Sequence, residues 1–208
     1  MITFNIVAKS TGWLMWLVGA RTKYYFENRK LQGRIIRKKA IVVSNHNTVW
    51  DFGAMLFAFP TRCLRCVVAE LMYEKNFVMT ALLKWAGTFR VDRNANDFEF
   101  MNKCERVLKR GGVVEIYPEA RIPLENEPTP LPFKPSAVYL ALSTDTPIIP
   151  VYTEGNYFTK KRNRLVIGAP INTLALYDES LSEKENVEKI NDYVRSKIIE
   201  LREIAKKG

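Results

Sequence analysis

A single histidine, His46, stands among 208 residues, and cysteine occurs three times, at Cys63, Cys66 and Cys104. Cys63 and Cys66 have the spacing of a zinc or redox pair, but no second pair exists to complete four ligands, which argues against a structural zinc site. The odd count argues against a disulfide framework and for a reducing compartment. No secretory leader is visible, since only Lys9 precedes the first apolar stretch. No G-x-S-x-G elbow marks a serine nucleophile. Long apolar runs are missing too: Gly12–Ala20 is uninterrupted for nine residues, against the roughly 20 needed to cross a bilayer. Nor are there repeats, low-complexity tracts or long linkers. What remains is one globular domain with a short appendage.

Acidic residues are scarce at one end. Residues 1–40 hold nine Lys and Arg against Glu27 alone, while the rest of the chain holds 23 against 21 acids. A surplus so placed points to an anionic partner met by the N-terminal segment. The same segment carries Trp13, Trp16, Tyr24, Tyr25 and Phe26 beside its basic residues, a composition suited to a membrane headgroup region. Each basic residue near an anionic leaflet contributes about 1 kcal/mol. The expectation is an amphipathic, membrane-anchoring helix pair over residues 1–35, followed by a domain over 36–208. Packing of that segment onto the protein's own core is a competing reading. A basic nucleic-acid-binding domain is another, but the surplus charge sits beside tryptophans and no nucleic-acid motif is visible.

From residue 40 the pattern alternates. Ala40–Asn45, Arg65–Glu70, Phe89–Asp92, Val113–Pro118, Pro147–Gly155 and Leu165–Pro170 read as strands. Thr48–Phe59, Lys75–Ala86, Ser136–Ser143 and Glu183–Lys206 read as helices, as does the stretch with Phe98, Met101, Cys104 and Leu108 on one face. Strands alternating with helices imply an α/β fold: a largely parallel central sheet with flanking helices. In such sheets chemistry gathers beyond the carboxyl ends of strands. His46, Arg93, Glu119 and Arg121 all follow strands directly.

His46 and Asp51 lie in "SNHNTVWDF". On one helix their spacing would turn the side chains about 140° apart. With His46 in the turn after the strand and Asp51 in the first helical turn, they can meet. An aspartate on one ring nitrogen sets the tautomer and steadies the imidazolium, which is the arrangement of a general base. Without a marked nucleophile, the simplest reading is direct activation of a substrate hydroxyl. Arginine offers a planar fork of donors for phosphate, so Arg93 and Arg121 at strand ends form a candidate anion site.

Four blocks in this order resemble the 1-acyl-glycerol-3-phosphate acyltransferase family. Asn45, His46 and Asp51 match its N-H-x4-D block. Gly87, Phe89, Val91, Asp92 and Arg93 match its second block, with Arg90 where an apolar residue is usual. Tyr117, Pro118, Glu119, Ala120 and Arg121 parallel F-P-E-G-T-R, one residue shorter and without the glycine. Leu131–Ala137 parallels P-F-K-x-G-A with Ser136 for glycine, and Ile149-Pro150-Val151 matches the isoleucine/valine-proline turn. The resemblance covers roughly residues 35 to 170.

It implies that His46 takes a glycerol hydroxyl proton, that Asp51 orients His46, and that Arg93 and Arg121 bind the acceptor's phosphate. Glu119 would position Arg121 or the substrate's free hydroxyl. Backbone N–H groups at the start of the Asp51 helix are candidates for the oxyanion. The acceptor would be lysophosphatidic acid and the donor acyl-CoA or acyl-carrier protein, with no metal or bound cofactor. A different lysolipid, glycerol-3-phosphate or an amino-lipid is the alternative acceptor. The implied location is the cytoplasmic face of a bacterial cell membrane, peripheral or monotopic.

Overall fold

The structure, a computed structural model, describes residues 2–12, 21–74, 76–91 and 98–207. Seven strands form one sheet: β1 (Thr22–Phe26), β2 (Ala40–Ser44), β3 (Leu64–Ala69), β4 (Phe89–Val91), β5 (Val113–Ile116), β6 (Ile148–Thr153) and β7 (Asn163–Ile167). Their order across the sheet is β1-β7-β6-β2-β5-β3-β4. Every neighbouring pair is parallel except β6 and β7. Helices are α1 (Ile2–Thr11), α2 (Asp51–Ala58), α3 (Glu70–Glu74), α4 (Phe77–Ala86), α5 (Phe98–Lys109), α6 (Ser136–Thr144) and α7 (Glu183–Lys207).

The central strands β2, β5 and β6 are buried at nearly every position and mostly aliphatic, because both faces are covered. On β2, Ala40 and Val42 face one core with Ala54, Met55 and Ala58 of α2. Ile41 and Val43 face the other, with Cys104 and Leu108 of α5, Val138 and Ala141 of α6, and Ile190, Val194 and Ile198 of α7. Helix α7 starts at a capping box: the Ser182 N–H donates to Glu185 Oε2 at 2.9 Å, and the Glu185 N–H to Ser182 Oγ at 3.3 Å. Registers Val43↔Ile116 and Val43↔Pro150 align the carboxyl ends of β2, β5 and β6 at one edge of the sheet.

Two expectations change. Thr22–Phe26 is not part of a helical anchor but an edge strand paired with β7, so the α/β domain begins before residue 36. Tyr24 and Phe26 pack on the α2-side core, and Tyr25 packs beside Val166 and Leu201. Part of the N-terminal charge is likewise structural. Arg34 lies over the Tyr24 ring at 4.2 Å and donates to Phe57 and Ala58 carbonyls at 2.6 and 3.1 Å, satisfying the end of α2. Lys39 does the same for Thr144 of α6 at 2.5 Å, and Lys9 donates to Pro60 and Arg62 carbonyls. Of the expected helix pair, Ile2–Thr11 is helical; Trp13–Ala20 lies outside the described residues.

Pro150 is also not in a turn. It sits within β6, and Gly168 passes it so closely that a Cβ there would fall 2.7 Å from Pro150 Cγ. Arg90, in an apolar place of the family pattern, is exposed on edge strand β4 and pairs with Glu70 and Glu74 at 3.3 Å each.

Candidate active site

His46 occupies the loop between β2 and α2, and Asp51 is the first residue of α2. Neighbouring side chains fix this loop to the sheet. Asn45 forms a two-point pair with the Thr153 backbone, accepting at 2.8 Å and donating at 2.9 Å, and Asn47 Nδ2 donates to the same carbonyl at 2.7 Å. The β2–β6 pairing thus continues through a side chain after the strands end.

Asp51 is fully buried, and its Oδ2 receives three donors: His46 Nδ1 at 3.0 Å, Asn47 N–H at 2.7 Å and Thr48 N–H at 2.8 Å. The carboxylate at Nδ1 makes that nitrogen the hydrogen-bearing one and leaves Nε2 as the proton acceptor. The His46 side chain is 21% exposed, so an incoming group can reach it. Among the described residues, no serine, threonine or cysteine hydrogen-bonds the ring.

Glu119 is bound between the His46 loop and the Leu131 segment. Its Oε1 accepts the His46 backbone N–H at 2.8 Å and its Oε2 the Leu131 N–H at 2.7 Å. Both oxygens are engaged, so Glu119 braces the His46 loop and does not pair with Arg121. Burial raises its carboxyl and these backbone bonds partly offset the shift. Arg121 is exposed and forms a two-point fork with Glu127, at 2.5 and 2.6 Å. This pair pulls the Glu127 carboxyl down to about 2. Ala120 between them has φ 59°, the left-handed conformation that glycine adopts most readily, at the place where the family pattern has glycine. Arg93 and Asp92 lie outside the described residues.

Four backbone N–H groups around the start of α2 are engaged within the loop. Asn47 and Thr48 N–H groups go to Asp51, the Trp50 N–H to Thr48 Oγ1 at 3.1 Å, and the Asp51 N–H to the Thr48 carbonyl at 3.2 Å.

Sequence reasoning gave no role to five neighbours. The Tyr117 ring stacks on the His46 ring, with centroids 4.5 Å apart and planes at 28°. Its hydroxyl donates to Glu115, a buried carboxyl on central strand β5 that burial pushes up to about 8. A glutamate inside an otherwise aliphatic strand was a visible signal. Tyr157, bonded to Thr153 Oγ1 at 2.7 Å, is raised by burial and then by the nearby Asp51 charge. Trp50 and Phe158, both exposed, meet edge to face at 4.9 Å beside the His46 loop. The Cys66 thiol is buried and raised by that burial first, so the Cys63–Cys66 pair presents no reactive thiolate at Cys66. Among the described residues no cluster of possible metal ligands occurs.

Fold and site together define an α/β domain with a hydrogen-bonded histidine–aspartate pair at the carboxyl end of its central strand. Residues 21–154 match the family model described as Acyltransferase, and the chain belongs to that family. It is 28% identical over 156 residues to human 1-acyl-sn-glycerol-3-phosphate acyltransferase beta, covering 71% of this chain and 55% of that protein. It is 27% identical over 195 residues to the 1-acyl-sn-glycerol-3-phosphate acyltransferase of Cocos nucifera, covering 91% and 60%. The chain therefore spans between about half and two thirds of these relatives' length. Its fold is similar to the crystal structure of the 1-acyl-sn-glycerophosphate (LPA) acyltransferase PlsC from Thermotoga maritima, with TM-score 0.64 at 18% identity, over 96% of this chain and 78% of that one.

Proposed function

We propose that this protein transfers a fatty acyl group from an acyl thioester to the free hydroxyl of lysophosphatidic acid, giving phosphatidic acid. The observation that carries this reading is a carboxylate-held imidazole with, among the described residues, no nucleophilic side chain on it: Nε2 is left for a substrate hydroxyl. In the reaction Nε2 takes the hydroxyl proton as the oxygen attacks the thioester carbonyl. The carbon–sulfur bond then breaks, and the imidazolium returns the proton to the departing thiolate. Buried Asp51 stabilises the imidazolium between these steps. This proton work requires no bound metal or cofactor; acyl-CoA or acyl-carrier protein enters as a co-substrate. The names of the relatives supply the acceptor.

Arg121 and Arg93 bind the acceptor's phosphate. For Arg121 this requires Glu127 to give up its fork, an exchange of one oxyanion for another at the same donors. The same pairing, in a loop one residue shorter than the family pattern, favours a second reading in which the acceptor is another lysolipid or an amino-lipid.

The protein works at the cytoplasmic face of the membrane, where thioester donors are made and the lipid acceptor resides. Among the described residues no helix is long and apolar enough to cross a membrane. Support for surface attachment comes from exposed Ile2 and Ile6 on α1 and exposed Phe77, Val78 and Leu82 on α4. These two helices are joined by Phe4 against Trp85 at 5.2 Å and by Trp85 Nε1 donating to Thr3 Oγ1 at 3.0 Å.

The test is thiol release from a long-chain acyl thioester, with and without lysophosphatidic acid, for wild type and His46→Ala. Acceptor-dependent release that the substitution abolishes is expected. Release without an acceptor would make the protein a thioesterase, and release only with another acceptor would establish the second reading.

A further inference from the structure

Glu115 is a titratable group that the reaction above does not use. It lies in the middle of β5, between Val42 of β2 and Cys66 of β3, and is fully buried. Such a strand position in a doubly covered sheet calls for an aliphatic residue, and Val113, Val114 and Ile116 around it comply. A carboxyl placed there is costly unless it serves something. Among the described residues its one hydrogen-bond partner is the Tyr117 hydroxyl. The Tyr117 ring in turn lies 4.5 Å from the His46 ring, nearly parallel to it.

The base is therefore held on three sides: its edge by Asp51, its backbone by Glu119 and its face by Tyr117. The first two fix where the ring is attached and which way Nδ1 points. A single hydrogen bond at Nδ1 is soft, and leaves small rotations of the ring about Cα–Cβ and Cβ–Cγ. Contact with a flat, anchored surface limits them. Without its hydroxyl anchor, Tyr117 itself would be free to rock. We propose that Glu115 is a positioning residue, whose carboxyl anchors the Tyr117 hydroxyl so that the tyrosine ring holds the His46 imidazole in the plane from which Nε2 meets the acceptor hydroxyl. The inference rests on the acyl-transfer reading only for its kinetic half. Burial keeps Glu115 largely protonated near neutrality, so the anchor is a neutral hydrogen-bonding group.

Glutamine supplies the same shape and an acceptor oxygen, whereas leucine supplies the shape alone. Glu115→Leu and Tyr117→Phe are expected to lower kcat between about tenfold and a hundredfold, as small misplacements of a base do. The acceptor KM is expected to stay within about twofold, because both residues act through the His46 ring. Glu115→Gln stays within about threefold of wild type in kcat. The Glu115→Leu, Tyr117→Phe double variant is no worse than the poorer single variant, since one anchor is lost either way. Glu115→Leu should melt no lower than wild type, which separates lost turnover from lost fold.

The single histidine gives a readout independent of activity. The imidazole C–H proton signals belong to His46 alone. They are expected upfield in the wild type, under the Tyr117 ring, and shifted back in Glu115→Leu and Tyr117→Phe. Unchanged imidazole signals in both variants would overturn the anchoring. Equal losses in the Gln and Leu variants, or additive losses in the double variant, would overturn the coupled neutral anchor. If the wild type transfers acyl groups to no acceptor, the functional reading fails, and the imidazole signals still decide whether Glu115 positions His46.

Discussion

At the scale of single residues, the site is a set of carboxyl groups placed in different environments. Asp51 collects three donors on one oxygen and serves as the charge partner of His46. Glu119 collects two backbone N–H groups and serves as a brace. Glu127 is half-buried and guards Arg121. If the Arg121 fork receives the acceptor's phosphate, Glu127→Gln frees it: the acceptor KM should fall several-fold with kcat little changed, and a rise in KM would show that Glu127 instead holds Arg121 in its binding position. Glu115 is the buried acid, and it makes stability depend on pH. Its carboxyl sits near 8 in the fold against an ordinary 4.5. Between those values the unfolded chain has released the proton and the folded protein retains it. The contribution of Glu115 to stability is thus fully present below about pH 4.5 and is lost as pH rises through 8, a change on the order of several kcal/mol. Melting temperatures of wild type and Glu115→Leu should converge at pH 5 and separate at pH 8.5, with the variant higher at alkaline pH.

At the scale of elements, the central strands and the amphipathic helices were legible because burial imposes a period on them. Val187, Ile190, Val194, Ile198, Leu201 and Ala205 of α7 are all buried, as their spacing requires. Strand β1 was not legible. Five residues of aromatic and basic character at a sheet edge have the composition of a membrane-interface segment, and only pairing with β7, over 130 residues away, distinguishes the two. The dyad could be read from one loop, since His46 and Asp51 are five residues apart. The bracing by Glu119 could not, because it needs the end of β5 to lie beside the end of β2. Pro150 lies in the stretch read as a strand, and Gly168 makes room for its ring where the family pattern names a turn. That fit is testable. Gly168→Ala forces a methyl group against Pro150 Cγ and Leu201, and should cost about 1–3 kcal/mol in denaturant unfolding. A smaller effect would mean that the β6–β7 pair can separate there without loss.

At the scale of the whole molecule, the question is which of the N-terminal charges remain for a partner once the fold has used its share. Lys9, Arg34 and Lys39 bind backbone carbonyls and cannot also be counted toward a membrane. Lys30, Arg37 and Lys38 lie around a hollow of about 580 Å³ with Leu31 and Ile35, both exposed apolar residues, in the same segment. Three such charges supply about 3 kcal/mol on an anionic leaflet, roughly a hundredfold in binding. The apolar face of α1 and α4 would act on any leaflet. Removing residues 1–35 cannot separate these contributions, since it also removes β1 and leaves the outer edge of β7 without its partner. Surface substitutions can. Reversing the charge of Lys30, Arg37 and Lys38 should weaken sedimentation with anionic vesicles at low salt and leave neutral vesicles unaffected. Phe77→Glu with Val78→Glu, two positions with little fold contact, should weaken binding to both. If the charge-reversed protein still binds anionic vesicles fully, the basic segment is structural and attachment rests on the helices alone. If only the charge reversal matters, the exposed face of α4 is not seated in lipid, and the acceptor must reach His46 from a membrane held at the other end of the sheet.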